Sequence, residues 1–164
     1  AEIKNISFSY LEYDSIDDLD GLYIKLIEEA KKASEDAYAP YSGFRVGAAV
    51  LLESGKIIRG SNVENAAFPS GICAERTAMS YSVSNFPGDK PSAIAIAAMN
   101  GNNFTYTPVS PCGNCRQMIT EEEFRNNREI KILLYGENRI LVIENAASLL
   151  PLQFNKEALN LYHP

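Results

Sequence analysis

The 164-residue chain holds three cysteines, and all of them fall in two short segments. The first is Ser70-Gly71-Ile72-Cys73-Ala74-Glu75, and the second is Ser110-Pro111-Cys112-Gly113-Asn114-Cys115-Arg116-Gln117. Three cysteines cannot all pair in disulfides within one chain, so metal-bound thiolates in a reducing compartment fit better. Cys112 and Cys115 have the C-x2-C spacing that puts two sulfurs on one metal at the start of a helix, and Pro111 suits the opening turn. The fold is then constrained to carry residue 73 to residues 112–115. Three thiolates make a zinc site with one position left for water, and Glu75 supplies an acid beside it. The single histidine, His163, stands far from these segments in sequence, so no internal imidazole is available as a ligand.

A lone C-x2-C also reads as a redox pair or as half of a structural zinc site. A structural site takes four protein ligands, and here only a carboxylate could be the fourth. Zinc lowers the pKa of a bound water to about 7, and a carboxylate can take that proton and return it to a substrate. Glu75 is the candidate for this role, although a first-turn glutamate is also favoured by the helix dipole alone. Cys73 and Cys112 each begin a predicted helix, and two helix N-termini aimed at one point favour thiolate over thiol. Arg76 and Arg116 are expected to hydrogen-bond to the sulfurs and offset their charge. Arg76 reads alternatively as an exposed helix residue.

The remaining sequence supplies a scaffold. A chain that is 46% hydrophobic and 22% charged, with a formal charge of -6, suits one globular unit with a real core and argues against a polyanionic partner such as duplex DNA. No apolar run reaches membrane-spanning length, and Ala1–Tyr10 lacks a secretory-signal pattern, so a cytoplasmic protein without membrane or nucleic-acid partners is expected. Residues 1–16 alternate weakly, with Ile6, Phe8 and Tyr10 on one side, as an edge strand, an arm on a neighbouring subunit or a loosely packed tail would. Helical spacing runs from about Asp17 to Ala37, through Leu19, Leu22, Leu26, Ala30 and Ala33, with a capping start at Ser15 and a stop before Pro40. Val46–Leu52 and Lys56–Ser61 read as an antiparallel hairpin about Glu53-Ser54-Gly55. Ala74–Val83 and Cys112–Arg125 read as helices. Ala93–Met99 is apolar throughout, as in a central strand covered on both faces. Ile130–Tyr135 and Arg139–Ile143 are joined by a turn too short for a parallel crossover and must be antiparallel. The expected fold class is α/β: a three-layer α-β-α arrangement around a mixed five-stranded sheet. The expected domain division is a 1–20 extension and a 21–164 catalytic domain.

Cys73-Ala74-Glu75 followed by Pro111-Cys112-Gly113-Asn114-Cys115 is the pattern of the zinc deaminases. With Tyr38-Ala39-Pro40-Tyr41-Ser42-Gly43-Phe44-Arg45-Val46-Gly47-Ala48-Ala49 and Asn62-Val63-Glu64-Asn65-Ala66, the chain resembles the free-nucleoside cytidine deaminases from about residue 24 to 160. The resemblance implies a cytidine deaminase-like fold and hydrolysis of cytidine and deoxycytidine to the uridines with release of ammonia. It implies Zn2+ held by Cys73, Cys112 and Cys115, and Glu75 as proton shuttle. It implies Asn62 and Glu64 as ribose contacts, Phe44 as a wall against the pyrimidine, and the Ala74 backbone as a contact to the base carbonyl. It implies Phe68 as a residue that helps complete a neighbouring subunit's pocket, Phe154 as the C-terminal aromatic that closes over the base, and a homotetramer or, failing that, a dimer. Phe44, Phe68 and Phe154 read equally as core or interface residues. Residues 1–20 have no counterpart in the family pattern, Asn114 replaces a small residue, and Thr120–Arg128 is unusually charged. Deamination of a cytosine nucleotide, of an aminoacylnucleoside antibiotic or of cytosine within RNA is a second enzyme reading. A zinc-stabilised binding domain without catalysis is a third.

Overall fold

The structure, a computed structural model, describes residues 1–159. His163 therefore lies outside the described residues. Ten main elements follow one another: strand β1 (Leu11–Tyr13), helix α1 (Gly21–Glu35), strands β2 (Phe44–Leu52) and β3 (Ile57–Ser61), helix α2 (Ala74–Asn85), strands β4 (Pro91–Asn100) and β5 (Asn103–Phe104), helix α3 (Gly113–Asn126), and strands β6 (Lys131–Tyr135) and β7 (Ile140–Ile143). Short 3-10 turns at Ile16–Asp18, Phe68–Ser70, Ala146–Leu149 and Lys156–Ala158 join them.

The sheet runs β1-β7-β6-β4-β2-β3, with β5 folded back on the end of β4. Only β4 and β6 are parallel, and β6 and β7 are antiparallel, as the short turn between them requires. The five expected strands are present, and two short ones join them to make seven. β5 forms because Gly101, at φ +65°, lets the polar stretch after β4 reverse direction and pair Asn100 with Asn103. β1 pairs Leu11 with Val142 and Tyr13 with Ile140, and Glu12 meets Arg139 at 3.2 Å. The start of the chain is therefore an edge strand over Leu11–Tyr13, while Ile6, Phe8 and Tyr10 stay exposed.

Strand alternation divides the core in two. Ala48, Val50, Leu52, Ile94, Ile96, Ile132 and Leu134 face α2 and α3. Ala49, Leu51, Ala93, Ala95, Ala97 and Leu133 face α1. The alternating alanines and isoleucines of β4 thus give a flat face to α1 and a bulky one to the paired helices. α1 presses so close that a Cβ on Gly47 would stand 2.0 Å from Ala30 O. α1 begins later than its periodicity suggests: Ser15 caps the 3-10 turn, and Asp20 Oδ1 accepts Leu22 N–H at 2.9 Å to start the helix. It ends at Glu35, capped by Asp36, ahead of Pro40.

Candidate active site

Cys73 and Cys112 are the N-cap residues of α2 and α3, in extended backbone, and neither side chain caps its own helix. They hold the position where a Ser or Asp oxygen normally caps the free N–H groups of a first turn, but their sulfurs turn toward one another instead. Cys115 lies one turn further along α3, fully buried. Sγ of Cys112 stands 3.5 Å from Sγ of Cys115 and 3.9 Å from Sγ of Cys73, and all three lie within 4.8 Å of one another. Two sulfurs bound at 2.3 Å to one tetrahedral ion are about 3.8 Å apart, so the donor set fits zinc. The same separations are too long for a disulfide.

The electrostatics point the same way. Burial opposes ionisation of Cys112, but the N–H groups of Cys115 and Asn114 and the neighbouring thiols outweigh it and lower its pKa. Burial, joined by the Glu75 charge, raises Cys73. Burial first, then the Glu75 charge and the other sulfurs, pushes the Cys115 thiol well above its ordinary range. A divalent cation between the sulfurs relieves this mutual repulsion. Glu75 is the second residue of α2 and is only 5% exposed, so it faces the cluster rather than bulk solvent. Burial raises its carboxyl above the ordinary 4.5, against hydrogen bonds from its own N–H and the Cys115 thiol. That shift moves a carboxylate toward the range of a general acid–base at neutral pH.

Cys73, Cys112 and Glu75 line a cavity of about 620 Å³, a size suited to a small organic ligand, and Cys115 lies buried behind them. Phe44, Asn62, Glu64, Phe68 and Ala74 also line it. Ala74 is the first residue of α2, where backbone N–H groups have no helical partner. Asn62 carries backbone as well as facing the cavity: its Nδ2 donates to Phe44 O at 3.0 Å and its Oδ1 accepts Val46 N–H at 2.7 Å. Glu64 accepts Tyr41 N–H at 2.9 Å and Ser42 N–H at 3.2 Å on one oxygen and the Ser42 hydroxyl on the other. The Ser42 hydroxyl, with those backbone bonds, lowers the Glu64 pKa against the desolvation that raises it. Phe68 is 74% exposed at the rim, with Tyr41 edge-on at 5.8 Å.

Two sequence expectations change. Arg116 directs its guanidinium to carbonyls rather than to sulfur: Nε donates to Pro111 O and an Nη to Leu149 O, both at 2.8 Å. It thereby ties the loop before Cys112 to the chain after β7. Phe154 lies outside the cavity lining, 61% exposed, with its carbonyl accepting from Gln117 Nε2 at 2.8 Å. Arg76, half-buried on α2, stays a candidate for the sulfurs. Sequence reasoning missed Ser42 and Tyr41, whose only signal was their position inside the Tyr38–Phe44 run.

A sequence model of the family described as "Cytidine and deoxycytidylate deaminase zinc-binding region" matches residues 22–128. The chain belongs to the cytidine and deoxycytidylate deaminase family. Like that family, it is a zinc enzyme. It is 43% identical to the cytidine deaminase of Sporosarcina psychrophila over 136 residues, covering 83% of this chain and 93% of the relative. It is 48% identical to that of Halalkalibacterium halodurans over 96 residues, 58% of this chain and 68% of the relative. Among solved structures, cytidine deaminase from Burkholderia pseudomallei superposes with a TM-score of 0.68 at 39% identity, covering 79% of this chain and 97% of that one. The enzyme from Mycobacterium tuberculosis gives 0.64 at 30% identity, over 84% and 99%. Among the described residues, no helix of this deaminase is long and apolar enough to cross a membrane.

Proposed function

We propose that this chain hydrolyses cytidine and deoxycytidine to uridine and deoxyuridine with release of ammonia. One observation carries the reading: three sulfurs converge in one cluster, two of them and the buried carboxylate of Glu75 lining a nucleoside-sized cavity. Cys73, Cys112 and Cys115 would hold the zinc. Zinc, when bound, lowers the pKa of a water to about 7 and so supplies the nucleophile. Glu75 takes the proton from the attacking water and gives it to N3 of the cytosine ring. It then takes the second proton from the new C4 hydroxyl and delivers it to the amino group, which leaves as ammonia while the C4–O bond becomes the carbonyl of the uracil ring. Phe44 walls the ring and the Ala74 N–H meets the base carbonyl. Asn62 and Glu64 take the sugar hydroxyls, as donor and acceptor. Arg76 offsets the charge of the thiolates.

The ionised Glu64 at the sugar end also repels a phosphate, which favours nucleosides over deoxycytidylate. We assign Phe68 and Phe154 to contacts with neighbouring copies in a homotetramer. Their exposure, and the position of Phe154 outside its own cavity, support that assignment. A cytoplasmic role in pyrimidine salvage follows from a nucleoside substrate and reduced thiols. The division into a 1–20 extension and a 21–164 catalytic domain is supported by the family match beginning at residue 22. The test is ammonia release, with the accompanying ultraviolet change, from cytidine, deoxycytidine and deoxycytidylate. Turnover of the two nucleosides well above the nucleotide is expected. No turnover of any of them would leave a zinc-stabilised binding domain.

A further inference from the structure

We propose that Ser42 is a positioning residue that holds the sugar-contacting carboxylate and the base-facing wall of this pocket in one register. The proposal rests on the nucleoside deaminase reading above. Three hydrogen bonds lead to it. Phe44 N–H donates to Ser42 Oγ at 3.0 Å, and Ser42 Oγ meets Glu64 Oε1. Because the amide can only donate, the hydroxyl accepts from Phe44, and its single proton is directed to Glu64. Glu64 must then be an ionised acceptor, in keeping with its lowered pKa. Gly43, at φ +69°, makes the turn that brings the Ser42 side chain back to the amide two residues on.

Counting what remains gives the consequence. Oε2 of Glu64 already accepts from Tyr41 N and Ser42 N, so both its lone pairs are engaged. Oε1 keeps one lone pair after Ser42. Asn62 has committed one lone pair of its oxygen to Val46 N and one N–H to Phe44 O, leaving one amide N–H and one lone pair. Both residues line the cavity. The pair therefore keeps one donor and, on Glu64 Oε1 and Asn62 Oδ1, two acceptor sites, so it can meet a sugar hydroxyl as donor and acceptor together. Phe44, whose amide is held by Ser42 and whose carbonyl is held by Asn62, is locked to the same frame. Ser42 sets where the Glu64 acceptor stands relative to the ring wall without needing to touch the substrate.

The test compares wild type with Ser42→Ala, Ser42→Thr, Glu64→Gln and the Ser42→Ala/Glu64→Gln double variant. The measurements are kcat and KM for cytidine, uridine affinity by calorimetry, and zinc content. Loss of a hydrogen bond to a charged group in Ser42→Ala should raise KM for cytidine and weaken uridine binding about tenfold. The same variant should hold kcat within about twofold and keep its zinc, because the missing contact is made in ground and transition states alike. Ser42→Thr, which keeps the hydroxyl, should restore wild-type KM. In the Glu64→Gln background, Ser42→Ala should add less than about twofold, since coupled residues are not additive. An unmoved KM in Ser42→Ala overturns the proposal. So does an equal loss in both backgrounds, or a loss that appears in kcat, zinc content and melting together. Wild-type protein inert toward cytidine sinks the deaminase reading and takes this proposal with it, whereas turnover with an unmoved Ser42→Ala sinks the proposal alone.

Discussion

The approach of α2 to β3 gives the sharpest single prediction. Gly60 lies in β3 opposite Ala48 of β2, under the first turns of α2. A Cβ there would stand 2.4 Å from Ala78 N and 2.7 Å from Ala74 O, both backbone atoms that no rotamer change can move. Contacts under 3.0 Å essentially never occur at real Cβ atoms, so in Gly60→Ala the helix must lift by about 0.6 Å or more. Cys73 caps that helix and Glu75 sits in its first turn. Metal-ligand distances tolerate only about 0.2 Å, so Cys73 cannot follow the helix and still share an ion with Cys112 and Cys115. Overpacking of this kind costs about 1–3 kcal/mol. At about 1.4 kcal/mol per decade, that weakens zinc affinity by roughly ten- to hundredfold. It also lowers the melting temperature of the zinc-loaded protein by about 2–4 °C per kcal/mol. Competition with a chromophoric chelator reads the first effect and thermal melting the second. Gly88→Ala, with nothing within 4 Å of its Cβ, is the control. Wild-type zinc affinity and melting in Gly60→Ala would refute the view that this glycine sets the position of the metal-binding helix.

Four further outcomes are expected. Glu75→Gln should keep its zinc and uridine binding but lose turnover by at least about a hundredfold, the usual scale of general acid–base help; more than a tenth of wild-type turnover would contradict the shuttle role. Cys115→Ala should be purified without stoichiometric zinc, and a full metal content would remove it from the ligand set. Arg116→Ala, which frees the Pro111 and Leu149 carbonyls, should lower stability by about 2–3 kcal/mol in denaturant unfolding; a loss below about 0.5 kcal/mol would show those bonds to be idle. Glu123 concerns pH. Its carboxylate accepts Ile130 N–H at 2.8 Å, Ala146 N–H at 2.6 Å and Ala147 N–H at 3.1 Å, yet burial outweighs these bonds and raises its pKa above 4.5. The folded chain therefore takes up that proton before the unfolded one. Glu123 contributes most below pH 4.5, and this contribution is lost as pH rises through the raised folded value. Wild type should accordingly gain stability relative to Glu123→Gln on acidification; no relative change would show an unshifted carboxyl, and a relative loss a lowered one.

The chemistry of this chain was already written in residue types and spacings. Cys73-Ala74-Glu75 and Cys112-x-x-Cys115 name a metal, a vacancy and an acid, because thiolate coordination depends on which atoms are available and on how a helix start presents them. The antiparallel pairing of β6 with β7 and the central place of β4 could also be anticipated, since the turn Gly136-Glu137-Asn138 is too short for a crossover and β4 is apolar on both faces. β5 was not legible, because two residues are too brief for periodicity and pair only where β4 presents an edge; β1 was one of three readings of residues 1–16, and β7 fixed it at Leu11–Tyr13. The tasks of the polar side chains were likewise decided by folding. Arg116 was free to serve sulfur or carbonyl until Pro111 and Leu149 came within 2.8 Å. Ser42 was an ordinary loop residue until the turn at Gly43 set it between Glu64 and Phe44. Identity limits what an atom can bond, but only the packed chain determines which partner is nearest.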